Sequence, residues 1–170
     1  MADNIVLALS SIHYHLTTYL DTNGWRNKYN ACLESSKELE GKSIVESVKD
    51  SRHEIGLPLV VLGVGFVSES PLEIGSSIGT DEVQISIIVY ALNNTQLITL
   101  ANAIRRYLTS KGFAIYNFSG GNPINNSVVG YADMANITIS DFSDRNSSNA
   151  AERHVNIINA IMEINSNSNT

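Results

Sequence analysis

Valine and isoleucine occupy every second position along residues 83–90, and the positions between them are mostly polar. The alternating apolar residues are Val83, Ile85, Ile87 and Val89. Because successive side chains of a strand point to opposite faces, this pattern predicts a strand with one strongly buried face. The alternation stops at Asn93-Asn94-Thr95, whose short polar side chains are typical of a helix N-cap.

A helical period follows the predicted cap. Apolar residues recur three and four positions apart at Leu97, Leu100, Ala101, Ile104 and Leu108. These spacings place all five residues on one face of an amphipathic helix, with Thr99, Asn102, Arg105 and Arg106 mainly on the other. Positive charge near the end of the helix suits its dipole, and Gly112 is the predicted C′ residue. Residues 113–118 return to a strand pattern.

The remaining elements are predicted from weaker patterns. Residues 4–20 form an amphipathic helix with Ile5, Leu9, Ile12, Leu16 and Tyr19 on one face. Residues 57–67 form a strand, in which Gly63 and Gly65 mark a bulge or a close backbone approach. Residues 128–140 alternate, with Val129, Tyr131, Ile137 and Ile139 on one parity. Residues 153–164 fit a strand or a helix, and their β-branched content favours a strand.

This order of elements predicts an α+β fold: a mostly antiparallel or mixed β-sheet with helices packed on one face, beginning with an N-terminal helix. We expect a single domain over residues 1–164. The variable segment 21–56 fits short helices or loops packed on the core. Loops are expected at 68–80, 119–127 and 141–151, with 141–149 mobile, and residues 165–170 form a disordered polar tail.

The charge of the chain is negative and unevenly distributed. The formal net charge of -6 argues against tight nucleic-acid binding, which needs a stripe of basic residues to neutralise phosphates. No lysine or arginine lies between Arg52 and Arg105, a stretch that holds Glu54, Glu69, Glu73, Asp81 and Glu82. We therefore expect one acidic surface, which is either an ordinary solvated face or a surface that repels polyanions.

Residues capable of catalysis or metal binding do not form recognisable motifs. The single cysteine, Cys32, excludes an intrachain disulfide and a cysteine-based zinc site, and it suits a reducing place of synthesis. Gly63-Val64-Gly65 lacks the third glycine of a nucleotide fingerprint, and no Gly-x-Ser-x-Gly elbow exists. His13, His15, His53 and His154 lack metal-ligand spacing, and Asp133, Asp141 and Asp144 lack calcium-loop spacing. We expect no enzyme activity, no catalytic residue, no metal and no cofactor.

The order of charged and apolar residues also gives no sign of a targeting signal. Met1-Ala2-Asp3-Asn4 has no positively charged region of the kind that opens a secretory signal. The longest apolar run, residues 57–67, is interrupted by Pro58, Gly63 and Gly65 and falls short of a membrane span. We therefore expect no association with a membrane.

Several of these features together resemble the tail terminator proteins of long-tailed bacteriophages, also called neck or tail-completion proteins. A helix opens the chain, the segment 71–78 precedes a strand that ends in Ile88-Val89-Tyr90-Ala91, and a helix that ends in Ala103-Ile104-Arg105-Arg106-Tyr107-Leu108 follows. Glu152-Arg153-His154 opens a final strand. The resemblance covers residues 57–164 and more loosely the first helix, and it is a pattern of elements without a sharp motif. The long segment 21–56 departs from short versions of the family.

The resemblance implies a structural virion protein in the tail-neck region, assembled in the host cytoplasm. Such subunits form a hexameric ring that caps the tail tube, stops its polymerisation and meets the head-tail connector or head-closure protein. The implied partners are further copies of the chain, the tail tube protein, that connector and, in tails that have one, the sheath protein. Genomic DNA passes through the ring without specific binding. Glu69, Glu73, Asp81 and Glu82 are the candidate acidic residues of the lumen or an interface.

Two alternatives stay open from the sequence. The chain can be another neck protein, such as a head-closure or tail-completion protein, which differs in ring number and in the face that meets the tube. It can also be a small cytoplasmic enzyme or ligand-binding domain, which requires a concave apolar pocket with convergent polar groups.

Overall fold

The elements of the protein appear in the predicted order, with one short strand added. The computed structural model describes residues 2–25, 32–35, 57–71, 79–110, 112–119, 122–148 and 152–166. Its elements are α1 (Ala2–Thr22), β1 (Cys32–Ser35), β2 (Leu59–Pro71), β3 (Gly79–Tyr90), α2 (Asn94–Thr109), β4 (Phe113–Ser119), β5 (Asn122–Asp141) and β6 (Val155–Ser166). The expected α+β class with an N-terminal helix is confirmed, and the choice of a strand for residues 153–164 is correct.

One six-stranded sheet, with the strand order β1-β2-β3-β6-β5-β4, contains every strand of the described residues. The short β1 runs parallel to β2, and all other neighbours are antiparallel. Both helices pack on the same face, because buried residues of α1 and α2 share one core cluster with β3 and β6. The strand β6 lies between β3 and β5, so it joins the two halves of the sheet.

The helix α2 forms as its periodicity predicts. Its buried residues are the five that the spacing selects: Leu97, Leu100, Ala101, Ile104 and Leu108. Asn93 is the N-cap, and its Oδ1 accepts a hydrogen bond of 2.8 Å from the backbone N–H of Gln96. The side chain of Gln96 in turn accepts a bond from the backbone N–H of Leu92. Two backbone donors at the start of α2 are therefore satisfied by neighbouring side chains.

The C-terminal end of α2 differs from the prediction. The helix ends at Thr109 with Ser110 as its C-cap, so position 112 lies beyond C′, and Gly112 does not adopt the left-handed conformation. The assignment of Gly112 as the C′ residue is therefore wrong. A Cβ at this position would lie 2.9 Å from Oδ1 of Asp133 on β5. Glycine at 112 allows that close approach between the start of β4 and its neighbour.

Two bulges change the parity of long strands. The register between β2 and β3 shifts between Val64 and Val67, which confirms the bulge predicted around Gly65. A second bulge shifts β5 against β6 between Ala135 and Thr138, where Asn136 has a φ of 52°. This bulge changes which residues of β5 face the core, from Ala132 and Met134 before it to Ile137 and Ile139 after it. The predicted grouping of Tyr131 with Ile137 and Ile139 is therefore wrong, and Tyr131 is exposed on the opposite face.

Strands extend into two of the predicted loops. The strand β2 continues to Pro71 and β3 begins at Gly79, so both ends of the expected loop 68–80 are strand, while 72–78 lie outside the described residues. Ser119 pairs with Asn122, so the described residues of the expected loop 119–127 belong to β4 and β5, while 120–121 lie outside them. The polar residues at these ends are typical of turns, but they continue the ladder hydrogen bonds.

The connection between β5 and β6 is held by hydrogen bonds, whereas its sequence indicated a mobile loop. Ser143 bonds to Asp141 and accepts the N–H of Val155 at 3.0 Å. Glu152 accepts the hydroxyl of Ser147 at 2.6 Å. Hydrogen bonds from Ser143, first from its side chain and then from its backbone, lower the pKa of Asp141. Residues 149–151 of this connection lie outside the described residues.

The expected polar tail begins later than predicted. The strand β6 extends to Ser166, where residues 165 and 166 still pair with β5. Residues 167–170 lie outside the described residues, as do 26–31 and 36–56 of the variable segment. Of that segment, the described part consists of the end of α1, the short turn after it and β1.

The helix α1 covers the β4 edge of the sheet. Ser11 is fully buried, and its hydroxyl accepts the backbone N–H of Tyr116 at 2.9 Å while donating to Leu7 O. Nε2 of His15 donates to Ala114 O at 2.9 Å. These bonds satisfy edge groups of β4 that would otherwise be available to a strand of another chain. His15 therefore has a structural role.

We expect Ser11→Ala to reduce the free energy of unfolding by about 1–3 kcal/mol, because it leaves the buried N–H of Tyr116 without an acceptor. In a chain of this size the loss corresponds to roughly 2–4 °C in Tm for each kcal/mol. Thermal and urea unfolding measure the change. Thr17→Ala is the matched control, because the bond that the Thr17 hydroxyl makes among the described residues is to His13 O in its own helix. Equal losses for the two variants would contradict the role of Ser11 at the sheet edge.

Candidate functional site

The face of the sheet turned away from α1 and α2, here called the outer face, is the candidate site. Val83, Ile85 and Ile87 of β3 are fully buried in the core beneath the helices. The residues between them therefore project from the outer face. Paired residues of neighbouring strands share a face. The register of the sheet thus determines which side chains of β6 and β5 lie beside those of β3.

Three carboxylates form a row across the outer face on adjacent strands. Glu82 of β3 pairs with Glu163 of β6, and Glu163 pairs with Asp133 of β5. Neighbouring strands lie about 4.8 Å apart, so the row spans roughly 10 Å. Within the described residues, no ion pair joins these three side chains to a cation. Like charges directly opposite each other destabilise a sheet, so the row carries an energetic cost in the isolated chain.

The predicted acidic residues are only partly brought together. Glu82 belongs to the carboxylate row, whereas Asp81 has the opposite parity and pairs with Ile164 on one side. On its other side Asp81 is the register partner of Glu69, near the end of the β2–β3 hairpin. Glu73 lies outside the described residues. The four positions therefore divide between the outer face and the end of this hairpin.

Sequence reasoning missed the other two members of the row. Glu163 lies between the apolar residues Met162 and Ile164, which is a weak sign of a residue on the exposed parity. Asp133 was considered only as a partner of Asp141 and Asp144 for a cation. Asp141 ends β5 roughly 25 Å along the strand from Asp133, at about 3.3 Å per residue. Only the strand order places Asp133 beside Glu163.

The middle of the outer face is polar. Ser86 donates a hydrogen bond of 2.7 Å to Asn159 Oδ1 on the next strand. A groove of about 380 Å³ opens beside the β5 bulge and is lined chiefly by Glu82, Gln84, Asn136, Thr138, Asn159 and Ile161. Its walls combine amide, hydroxyl and carboxylate groups with a comparable apolar surface, and it is open to solvent. The groove therefore differs from the enclosed apolar pocket that a small-molecule site usually provides.

Apolar residues lie at both ends of the outer face. At one end Leu59, Val61, Ile88, Tyr90 and Val155 form a second cluster of buried residues. Beyond the carboxylate row, Tyr131 is 48% exposed and pairs with Ala114 and Asn165. The outer face is thus buried and apolar at one end, and exposed, acidic and partly aromatic at the other.

The outward surface of α2 lies on the opposite side of the molecule and has the opposite charge. Arg105 and Arg106 are exposed there, and neither forms an ion pair within the described part of the chain. Ile98, about two turns before them, is 48% exposed. An apolar side chain beside two arginines is a composition suited to a protein contact.

Groups with chemical reactivity do not converge in the described residues. No three side chains of His, Cys, Asp or Glu in the described ranges lie close enough together to hold a metal ion. Tyr19 and Tyr107 stack with ring centroids 4.2 Å apart, and burial raises the pKa of both hydroxyls. These tyrosines bond to backbone carbonyls between α1 and α2, which is a structural role.

Comparison with known proteins leaves the chain without an assigned family. No protein-family model matches it, and no curated protein matches it. Among the described helices, neither combines the length with the apolar character needed to cross a membrane.

Proposed function

We propose that this chain is a structural virion protein that forms a ring at the head-proximal end of a phage tail tube. The ring stops tube polymerisation and joins the tail to the head-tail connector. The elements that carry the resemblance to tail terminators occupy the expected positions: β3 ends at Tyr90, α2 spans the helix that follows, and β6 begins just after His154.

The acidic β2–β3 hairpin is the observation on which this proposal depends most. Both of its strands lie in the stretch from Arg52 to Arg105 that contains no lysine or arginine. Glu69 and Asp81 are register partners near its end. We propose that this end faces the central channel. A channel wall with carboxylates and no nearby cation repels phosphates, so DNA passes without being held.

The geometry gives less support to a ligand-binding domain. The groove on the outer face is open and of mixed polar and apolar character, and no metal-binding group accompanies it in the described residues. A second neck function, head closure or tail completion, differs from tail termination in what the protein does to a growing tube. The assay that tests the proposal therefore also separates these two functions.

The test is polymerisation of purified tail tube protein in the presence of this chain. We expect shorter tubes that carry a ring at one end in electron micrographs, and a ring mass near six subunits by light scattering. Glu69→Lys/Asp81→Lys is the control variant, because it should still end the tubes while its rings retard duplex DNA at low salt. Tubes of unchanged length, with no ring at either end, would contradict tail termination. Binding to the connector without shortening tubes would indicate the other neck functions.

A further inference from the structure

The subunit carries two unlike exposed faces on opposite sides. The acidic sheet face consists of Glu82, Glu163 and Asp133, with Tyr131 and Ile161 beside them. The basic helix face consists of Arg105, Arg106, Asn102 and Ile98 on α2. Because α2 packs on the inner face of the sheet, its outward surface and the outer face of the sheet point away from each other. Neither set of charges can neutralise the other within one chain.

Within the described residues no cation faces the carboxylate row, so a cation brought to it would stabilise it. Glu82, Glu163 and Asp133 are direct neighbours across three strands and have no described counter-ion. Arg105 and Arg106 are likewise without a carboxylate partner in the described residues. Bringing the two faces together would replace repulsion within the row by attraction between chains.

The spacing of apolar and charged residues on the two faces is compatible. Ile98 and Arg105 are seven residues apart on one side of α2, which is about 10.5 Å along the helix axis. Ile161 projects from the same face as Glu163, two residues before it, about 6.6 Å from the carboxylate row. The difference of about 4 Å lies within the reach of the long, flexible arginine side chain. A helix laid on this face can bring its arginines to the carboxylates and Ile98 toward Ile161.

We propose that the basic helix face of one copy docks on the acidic sheet face of the next copy. The contact is head-to-tail, because each chain contributes a different face to each of its two neighbours. Repetition of such a contact closes a ring when the rotation per copy divides a full turn and no shift along the axis accumulates; otherwise it builds an open filament. An isologous dimer through either face would instead place like charges together. The inference rests on the proposed function in one respect: the ring of the tail terminator is the assembly that these contacts build.

Complementary charge reversal tests the contact. Arg105→Glu/Arg106→Glu makes both faces acidic, and Glu82→Lys/Glu163→Lys makes both faces basic. We expect each variant alone to self-associate roughly tenfold or more weakly than the wild-type chain in sedimentation velocity at low salt, because like charges now meet. An equimolar mixture of the two variants should recover association, since each contact in an alternating ring again joins opposite charges. A chain carrying all four substitutions should recover it alone.

Matched controls separate the contact from general charge effects. Arg145→Glu reverses an exposed charge in the connection between β5 and β6, away from both faces, and should associate like the wild-type chain. All variants should keep the wild-type melting temperature within a few degrees, because the replaced side chains are not buried. Raising the salt concentration should weaken association of the wild-type chain.

Three results would overturn the inference: a wild-type chain that stays monomeric at every concentration, variants that associate like the wild-type chain, or a mixture that does not recover. The tube assay is read separately. Wild-type rings that form and end tubes, together with undiminished association of both variants, would refute this interface and leave tail termination standing. Rings that respond to charge reversal as described but do not end tubes would refute tail termination and leave the interface standing.

Discussion

Ile104→Asp is expected to leave the chain largely unfolded near room temperature, so that heating shows no cooperative unfolding transition. Ile104 is fully buried at the centre of the five-residue face that α2 packs on the sheet. The substitution removes its packing and buries a carboxylate in the core without a cation, and a loss above about 4–5 kcal/mol follows from the two effects together. That is comparable to the whole stability of many domains, which is about 5–15 kcal/mol. Circular dichroism during thermal unfolding measures the loss.

Arg106→Glu is the control on the same helix. Arg106 is exposed and two positions from Ile104, so its replacement should change the free energy of unfolding by no more than about 0.5 kcal/mol. The comparison separates burial from helix propensity and from position in the chain. If the two variants melt at similarly lowered temperatures, the assignment of the buried face of α2 is wrong.

Phe113→Ala is expected to have the second largest effect, a loss of about 3–5 kcal/mol. Phe113 is 1% exposed and packs where β4 begins, between α1 and α2. Its ring lies 5.4 Å from that of Tyr107 in an edge-on arrangement and 5.5 Å from that of His15. Truncation to alanine leaves a cavity, because the neighbouring side chains are held on two separate helices and cannot move together to fill it. Chemical denaturation with urea or guanidinium gives the change in free energy.

Phe142→Ala provides the matched control for the same truncation. Phe142 is 61% exposed after the end of β5, so its replacement removes little buried area. We expect a change in unfolding free energy within about 0.5 kcal/mol. Comparable losses at positions 113 and 142 would show that the site where α1, α2 and β4 meet is not a tightly packed part of the core.

The elements that sequence reasoning predicted correctly are those whose own side chains carry a period. On α2, Ile104 and the four other buried residues share one face of the helix. On β3, Val83 and the apolar residues at every second position share one face of the strand. Neither assignment needs information from any other segment. The bulge around Gly65 was also visible, since glycine in a strand interior favours such an irregularity. In each case local geometry alone determines which side of the element is buried.

Errors occurred where a partner strand decides the outcome. Tyr131 was assigned to the wrong face because the bulge at Asn136, a residue with a positive φ, shifts the parity along β5. Ser119 and Pro123 are typical of loops, but pairing within the β4–β5 hairpin keeps them in strands. Pairing energy depends on neighbours across the sheet, and no local composition encodes those neighbours.

The carboxylate row illustrates the same limit for the candidate site. Glu82 was identified from the scarcity of nearby cations in the sequence, which is a property of one segment. Glu163 and Asp133 join it only through the order β3-β6-β5, which brings together three segments far apart in the chain. The basic helix face, by contrast, was already visible as the polar side of α2. The residues of the basic helix face were therefore predicted more completely than those of the acidic sheet face.

The central position of β6 has a consequence for the synthesis of the protein. The strands β1, β2 and β3 form one half of the sheet, β5 and β4 form the other, and β6 follows all of them in the chain. While the chain is still emerging from the ribosome, the two halves have edges at β3 and β5 that only β6 can pair. The sheet therefore closes after translation of its other strands is complete. A chain interrupted before β6 exposes two long strand edges, which makes it a substrate for chaperones and proteases.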